Sequence, residues 1–210
     1  MRIGILGAGG MADAFGTRWA QAGHRLVIGA RDPGRAHALA GRIGPGAAAG
    51  STARAAAFGE ALLVAVPAGS APEVVARAAP PPGTVLIDCT NPVVGGELQS
   101  WGGPSTAERI AAAAPGSPVV KAFNLCHVSV WRRTPPVFDG RPLAVPLCGD
   151  DPQALTVVRR LVTDLGATPV AGGALARAGL LEATAAFVIG LWIDGADAQA
   201  VLPPLAYAAG

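Results

Sequence analysis

The hydrophobic positions of the chain form short continuous runs, at residues 2–6, 25–30, 61–66, 84–88 and 118–122. Runs of this length without polar alternation are typical of parallel strands that are buried on both faces. The segments between them space their apolar residues as amphipathic helices do. The pattern therefore predicts an α/β protein with a doubly wound, mostly parallel sheet.

The pattern changes after Trp131, where a proline-rich segment begins. A strand, a helix, a short strand and an apolar helix are predicted beyond it, at 143–148, 152–165, 167–170 and 175–193. We therefore expect a first domain over residues 1–141 and a small C-terminal α/β portion over residues 142–210.

The first predicted strand leads into a glycine-rich turn with the pattern G-x-G-x-x-A. Gly7 permits a tight turn from strand to helix, Gly9 lets the backbone approach a pyrophosphate, and Ala12 is small enough for close packing of helix on strand. The helix N-terminus adds N–H donors and a positive dipole end. This context predicts a dinucleotide site of the Rossmann type. We expect it to be formed by Gly7, Ala8, Gly9, Gly10, Met11 and Ala12.

The end of the second strand bears on the choice of cofactor. It reads Gly-Ala-Arg and is followed by Asp32-Pro33. An acid at the strand end would favour NAD, whereas an arginine favours NADP. Because Asp followed by Pro is typical of a helix N-cap and first helical position, Arg31 and Arg35 are the expected ligands of a 2′-phosphate. The alternative is that both are ordinary surface arginines.

Ligands of doubly wound sheets bind outside the carboxyl ends of the strands. We therefore expect the loops after the third, fourth and fifth of these predicted strands to line the nicotinamide half of the cleft. The cofactor contacts predicted there are Val66, Pro67, Asn91 and Asn124.

Composition narrows the class of protein. The 210 residues carry a net charge of +2 from scattered arginines, which argues against a nucleic-acid partner. The longest stretch without a charged residue, 198–210, is too short for a membrane span, so we expect no membrane segment. Three widely spaced cysteines argue against disulfides and zinc and favour the cytoplasm, and no metal site is expected.

A few side chains are candidates for the reaction or for ring stacking. His127 follows a strand end and is the candidate catalytic proton donor or acceptor; the alternative is a loop histidine bonded to backbone. Trp101, Trp131 and Trp192 offer flat surfaces, with core packing favoured for Trp192. Glu182, in an apolar helix, is expected to be partnered in the core or to face a subunit interface.

The chain resembles the family of NADPH-dependent reductases of coenzyme F-420, an 8-hydroxy-5-deazaflavin. The resemblance is carried by MRIGILGAGGMA at the start and by the segments VIGAR, DCTNP, VKAFN and VPLCGDD. It implies that Gly7 and Gly9 bind the pyrophosphate, that Arg31 holds the 2′-phosphate, and that a deazaflavin stacks on the nicotinamide. Residues 125–133 depart from the family pattern. This departure bears on the identity of the acceptor more than on the identity of the cofactor.

Hydride transfer between two bound rings needs no acid–base constellation, and none is evident in the sequence. We therefore expect an NADP(H)-dependent oxidoreductase with coenzyme F-420 as acceptor. One alternative is a reductase of a small C=N or C=O compound, since the opening also resembles pyrroline-carboxylate reductases. Another is a non-catalytic NADP sensor. The apolar helix at 183–193 suits a homodimer interface.

Overall fold

The computed structural model describes residues 1–99 and 102–201. Its strands are β1 (Arg2–Leu6), β2 (Arg25–Gly29), β3 (Ala47–Gly50), β4 (Ala61–Val64), β5 (Val85–Asp88), β6 (Val93–Val94), β7 (Glu97–Leu98), β8 (Val119–Lys121), β9 (Val137–Phe138), β10 (Arg141–Pro142), β11 (Ala144–Cys148) and β12 (Thr168–Gly173).

The α-helices are α1 (Gly10–Gln21), α2 (Pro33–Ile43), α3 (Thr52–Phe58), α4 (Ala71–Ala78), α5 (Thr106–Ala113), α6 (Val128–Trp131), α7 (Pro152–Thr163) and α8 (Ala178–Ile193). Three short 3-10 helices cover Ala68–Ser70, Leu175–Arg177 and Ala198–Val201.

Eight strands form one sheet in the order β12-β11-β8-β5-β4-β1-β2-β3. All neighbours are parallel except β11 and β8, which are antiparallel. From β1 the chain adds β2 and β3 on one side, and from β4 it adds β5 and β8 on the other side. The strand order thus reverses between β1 and β4, and such a topological switch point is where these sheets bind ligands. The predicted α/β, doubly wound and mostly parallel fold is confirmed.

Helices cover both faces of this sheet and bury two apolar layers. Phe15 and Leu161 belong to the core on one face, and Val75 and Ile110 to the core on the other. A sheet covered on both faces explains why its strands read as continuous apolar runs.

The C-terminal strands β11 and β12 extend the same sheet, and the short pairs β6–β7 and β9–β10 lie outside it. The boundary between a first domain, residues 1–141, and a C-terminal portion, residues 142–210, therefore stays a prediction made from the sequence pattern.

Local capping explains where several helices begin. The Asp32 carboxylate accepts a hydrogen bond from the Arg35 N–H at 3.3 Å, so Asp32 caps α2 as expected. Asp151 caps α7 in the same way, through the Ala154 N–H at 2.7 Å. Ser105 begins α5 with a reciprocal capping box.

One helix of the described part, Leu175–Ile193, is long and apolar enough to cross a membrane by length and composition. Counting uncharged stretches in the sequence did not select it, because Arg177 and Glu182 interrupt its apolar residues. A mostly buried core helix passes the same test, but only 22% of this apolar window is buried inside the protein. Glu182 is buried against the sheet, so this part of the helix packs on the domain.

Candidate functional site

Two glycines of the first loop have different tasks. Gly7 has a φ of +115°, and a Cβ there would lie 2.2 Å from the Ala65 carbonyl oxygen, so the fold itself requires glycine. Gly9 is the N-cap of α1, makes no side-chain cap, and has no atom within 4 Å of the position of a Cβ. The space beside Gly9 at the N-terminus of α1 is therefore open, which fits the close approach of a pyrophosphate.

Exposed arginines surround the carboxyl ends of β2 and β3. Arg31 and Arg35 are exposed, and neither has an ion pair within the described ranges. Gly29 and Gly50 are register partners, so these two strand ends are adjacent. The side chain of Arg54 packs against Gly50 there, with its Cδ 2.8 Å from where a Cβ would stand. Sequence reasoning missed Arg54 because the four-residue strand β3 was not predicted.

A cavity of about 620 Å³, here called the central cavity, lies between the glycine loop, the ends of β5 and β8, and helix α8. It brings together predicted site residues from three loops. Its lining consists of Gly10, Met11, Cys89, Asn91, Asn124, Leu125, Cys126, His127, Val128, Ala185, Ile189, Trp192 and Ile193. Val66 and Pro67 do not line it; they follow β4 beside Gly7.

Two asparagines connect the loops under this cavity. The Asn91 amide donates to the Asn124 backbone oxygen at 2.6 Å, and the Asn124 amide donates to the Asn91 side-chain oxygen at 2.9 Å. The Asn124 amide also donates to the Leu181 carbonyl oxygen in α8, at 3.0 Å. Phe123, just before, has a φ of +66°, a strained conformation for an aromatic residue. Such strain is concentrated at functional sites.

A buried ionic cluster joins α8 to the sheet beneath the same loops. The Lys121 ammonium donates to Asp88 Oδ2 and Glu182 Oε1, both at 2.8 Å, and to the Thr90 carbonyl oxygen at 2.6 Å. Glu182 also accepts the Thr106 backbone N–H at 2.9 Å, at the start of α5. All three ionisable side chains are almost fully buried, so each depends on these partners.

The balance of effects keeps Lys121 charged. Burial by itself lowers the pKa of Lys121, but the carboxylates of Asp88 and Glu182 outweigh it, and the net direction is upward. Sequence reasoning placed Glu182 in the core as one of two options, and the structure selects that option. It missed the cluster as a whole, although the chain's single lysine, inside a buried strand, was a signal for it.

His127 lines the central cavity and caps α6. Its side chain is exposed, and Nδ1 lies 3.0 Å from the Ser129 hydroxyl oxygen. The neighbouring thiol is not activated, because burial raises the pKa of Cys126 to about 11. Burial is also the largest of the causes that raise the pKa of Cys89 to about 12. These two cavity thiols are therefore protonated at neutral pH.

The tryptophans have roles opposite to those expected. Trp131 is 3% exposed and packs in an aromatic cluster with Phe15 and Phe123, because α6 turns it into the core. Trp192 is 47% exposed and lines the central cavity, because it lies near the end of α8, beyond the sheet. Trp101 lies outside the described residues.

A second cavity, of about 520 Å³ and here called the hairpin cavity, lies beside the β9–β10 pair. It shares Leu125, Cys126 and Trp192 with the central cavity, so the two adjoin. Neither cavity has an Asp or Glu in its described lining. Within residues 1–99 and 102–201, no group of three or more His, Cys, Asp or Glu side chains is arranged to hold a metal ion.

Comparisons with known proteins show similarities in sequence and in fold. Residues 2–92 match the family described as NADP oxidoreductase, coenzyme F420-dependent. The chain is 32% identical over 191 residues to metalloreductase STEAP3 of Rattus norvegicus, covering 91% of this chain and 38% of that protein. It thus spans under two-fifths of the length of this curated relative.

Solved structures share the fold. A putative F420-dependent NADP-reductase from Arthrobacter sp. FB24 superposes with a TM-score of 0.81 at 24% identity, covering 92% of this chain and 95% of that one. An imine reductase from Pseudomonas sp. superposes with a TM-score of 0.68 at 18% identity, covering 92% and 63% of the two chains. Residues 2–92 are thus similar to an NADP oxidoreductase family, and the solved structures show a Rossmann-like fold for the chain.

Proposed function

We propose that the protein is an NADPH-dependent reductase that transfers a hydride to a deazaflavin of the coenzyme F-420 type. The observation that carries the proposal is the position of the central cavity. It begins at the open N-terminus of α1 and continues along the carboxyl ends of β5 and β8. A dinucleotide whose pyrophosphate lies on the glycine loop would thus extend its nicotinamide into this cavity.

The chain's own residues bind and orient the cofactor. The backbone of Gly7 to Ala12 receives the pyrophosphate, with Val66 and Pro67 beside it. Arg31 and Arg35 bind the 2′-phosphate, and Arg54 adds a third guanidinium at the end of β3. Asn91 and Asn124 form the polar floor of the cavity, below the nicotinamide.

NADPH supplies the hydride when it is bound, and the protein holds the two rings in contact and excludes water. The described lining of the central cavity contains no carboxylate and one imidazole. This composition suits a deazaflavin, because its ring delocalises the charge of the incoming hydride and can then take its proton from solvent, leaving NADP⁺.

His127 favours a second candidate, a reductase of a small C=N or C=O compound, because it lines the cavity and can donate a proton there. The fold shared with the Pseudomonas imine reductase is compatible with this candidate.

The test is NADPH oxidation measured against deazaflavin, FMN, FAD and small imines and ketones. We expect the unmodified protein to turn over the deazaflavin. The matched control is the Gly9→Val variant, for which we expect no turnover. Turnover restricted to an imine or ketone would select the second candidate. NADPH binding without turnover on any acceptor would select a non-catalytic NADP sensor instead.

A further inference from the structure

The outer face of α8 is largely apolar, although solvent reaches it. Leu180 and Phe187 are 56% and 58% exposed, Thr184 is exposed and Leu191 is half-buried. These four residues, here called the outer stripe, are four, three and four positions apart, so they line one side of the helix. Monomeric proteins rarely expose a contiguous apolar surface of this kind, and where it occurs it marks an interaction site.

The outer stripe and the contacts of α8 with the sheet lie on opposite faces of the helix. Ala178, Glu182 and Ala185 are buried on the inner face, where Glu182 accepts a hydrogen bond from Lys121. At about 100° per residue, the stripe lies roughly half a turn away from them. No stripe residue belongs to the described lining of the central cavity. A partner on the stripe therefore leaves that cavity open, and its binding does not depend on the proposed function.

A cavity of about 790 Å³ opens beside the stripe, at Thr184 and Phe187. Its remaining described lining comes from α8, from the β6–β7 pair and from the 3-10 helix Ala198–Val201, and Glu97 is the single charged residue in that lining. A mostly apolar cavity next to an exposed phenyl ring accepts an apolar side chain from a partner.

The two ends of α8 carry charges opposite to those that its own dipole favours. Arg177 is the N-cap and Asp194 the C-cap, and neither an acid in the first turn nor a base in the last turn compensates. Helix dipoles favour the reverse arrangement. The Arg177 Nε donates to the Gly172 carbonyl oxygen at 2.8 Å, and neither end residue has an ion pair within the ranges 1–99 and 102–201.

We propose that the outer stripe binds the same stripe of a second copy of this chain, with the two α8 helices antiparallel. The stripe is symmetric about the midpoint of α8. In the antiparallel orientation, Leu180 therefore faces Leu191 of the second copy, and Thr184 faces Phe187 of the second copy. That phenyl ring enters the cavity beside Thr184, and the reciprocal contact forms on the other side of the two-fold axis.

Charge complementarity favours this occupant and this orientation. Arg177 and Asp194 continue the spacing of the stripe, three positions before Leu180 and three after Leu191. The same register therefore brings Arg177 beside Asp194 of the second copy at both ends of the interface. Each charge then lies next to the end of the neighbouring helix whose dipole favours it. The surface is thus complementary to itself, as a two-fold interface requires.

The first test is the mass of the full chain in solution, measured by sedimentation equilibrium. We expect a dimer at micromolar concentration. Phe187→Glu should raise the dissociation constant about a hundredfold or more, because it removes two aromatic anchors and buries two charges. Leu180→Glu should act in the same direction. Val170→Glu places the same charge on an exposed apolar residue of β12, outside the stripe, and should leave the dimer intact. Circular dichroism should show the same fold for all of these variants.

The second test is a charge exchange that reports the orientation. Arg177→Asp or Asp194→Arg alone should raise the dissociation constant about ten- to thirtyfold at low salt, because each places like charges together at both ends. The double variant should return to within about threefold of the unmodified protein. The effect of each single variant should decrease as salt is added.

A monomeric unmodified protein, or a dimer that survives both Phe187→Glu and Leu180→Glu, would overturn the interface. A double variant as weak as its single variants would overturn the antiparallel pairing. Sedimentation with vesicles of phosphatidylcholine and phosphatidylglycerol tests the other apolar occupant. A monomer that binds these vesicles, and loses binding with Phe187→Glu, would assign the stripe to a lipid surface instead.

Discussion

The glycine loop and the junction with α8 are built in different ways. The glycine loop joins one strand to the next helix, so its geometry depends on neighbours in sequence. The junction joins Asp88, Lys121 and Glu182, which lie on β5, β8 and α8. Local backbone conformation makes the first region, and long-range ionic contacts make the second. We therefore expect mutations in the two regions to affect binding and stability separately.

The largest expected effect on binding comes from the glycine loop. Gly9→Val should abolish binding of both NADPH and NADH, because the side chain occupies the space that the pyrophosphate needs. The free energy of unfolding should change little, since no atom lies within 4 Å of the new Cβ position. Calorimetric titration and urea unfolding measure the two quantities. Micromolar NADPH affinity in this variant would refute the dinucleotide assignment.

The largest expected effect on stability comes from the junction. Lys121→Met leaves the carboxylates of Asp88 and Glu182 buried together without a cation, which should cost about 3–5 kcal/mol of unfolding free energy. Urea unfolding at pH 7 measures the loss. Arg77→Ala removes one partner of the exposed Arg77–Glu73 pair and serves as the control, with less than about 1 kcal/mol expected. Equal losses in the two variants would show that the cluster is not a specific junction.

A smaller effect, on selectivity, is expected at the 2′-phosphate. Arg31→Ala should weaken NADPH binding about ten- to a hundredfold, because a charge-assisted contact contributes ~1.5–3 kcal/mol. NADH lacks the phosphate, so its affinity should stay nearly unchanged. Titration of each cofactor gives the ratio. An equal loss of affinity for NADPH and NADH would mean that Arg31 does not discriminate between the two cofactors.

Removal of the His127 side chain should have a smaller effect still, on turnover, if the acceptor is a deazaflavin. His127→Ala is expected to reduce turnover by less than about tenfold, whereas loss of a needed general acid typically costs ~10²–10⁴. Steady-state rates between pH 5 and pH 9 measure the effect on turnover and on its pH profile. A large loss at unchanged NADPH affinity, together with a changed pH profile of turnover, would favour the imine or ketone reductase.

The smallest effect is expected from the thiols. Replacing Cys89, Cys126 and Cys148 together by Ala should leave turnover nearly unchanged. With pKa values raised to about 12 and 11, Cys89 and Cys126 are not thiolates at neutral pH. Turnover between pH 6 and pH 8 should accordingly show no thiol titration. A folded triple variant with a thousandfold lower rate would reveal covalent or redox chemistry.

Much of the architecture was accessible from the sequence because it is encoded locally. Buried strands read as apolar runs, and Asp32 and Asp151 mark the first residues of their helices through hydrogen bonds over three positions. The turn at Gly7 could be predicted because its φ of +115° is a local requirement that favours glycine. The short alanine-rich strand β3 was missed, and with it Arg54, because its residues carry no strong strand signal.

The tertiary structure decided what lies across the central cavity from the glycine loop. Trp131 and Trp192 are equally apolar in the sequence, and only the packing of α6 and α8 placed one in the core and the other at the junction of two cavities. Likewise, the sequence shows a lone lysine in a buried strand but not its two carboxylate partners. Contacts between distant segments leave no periodic pattern in the sequence. They could therefore be identified only in the folded structure.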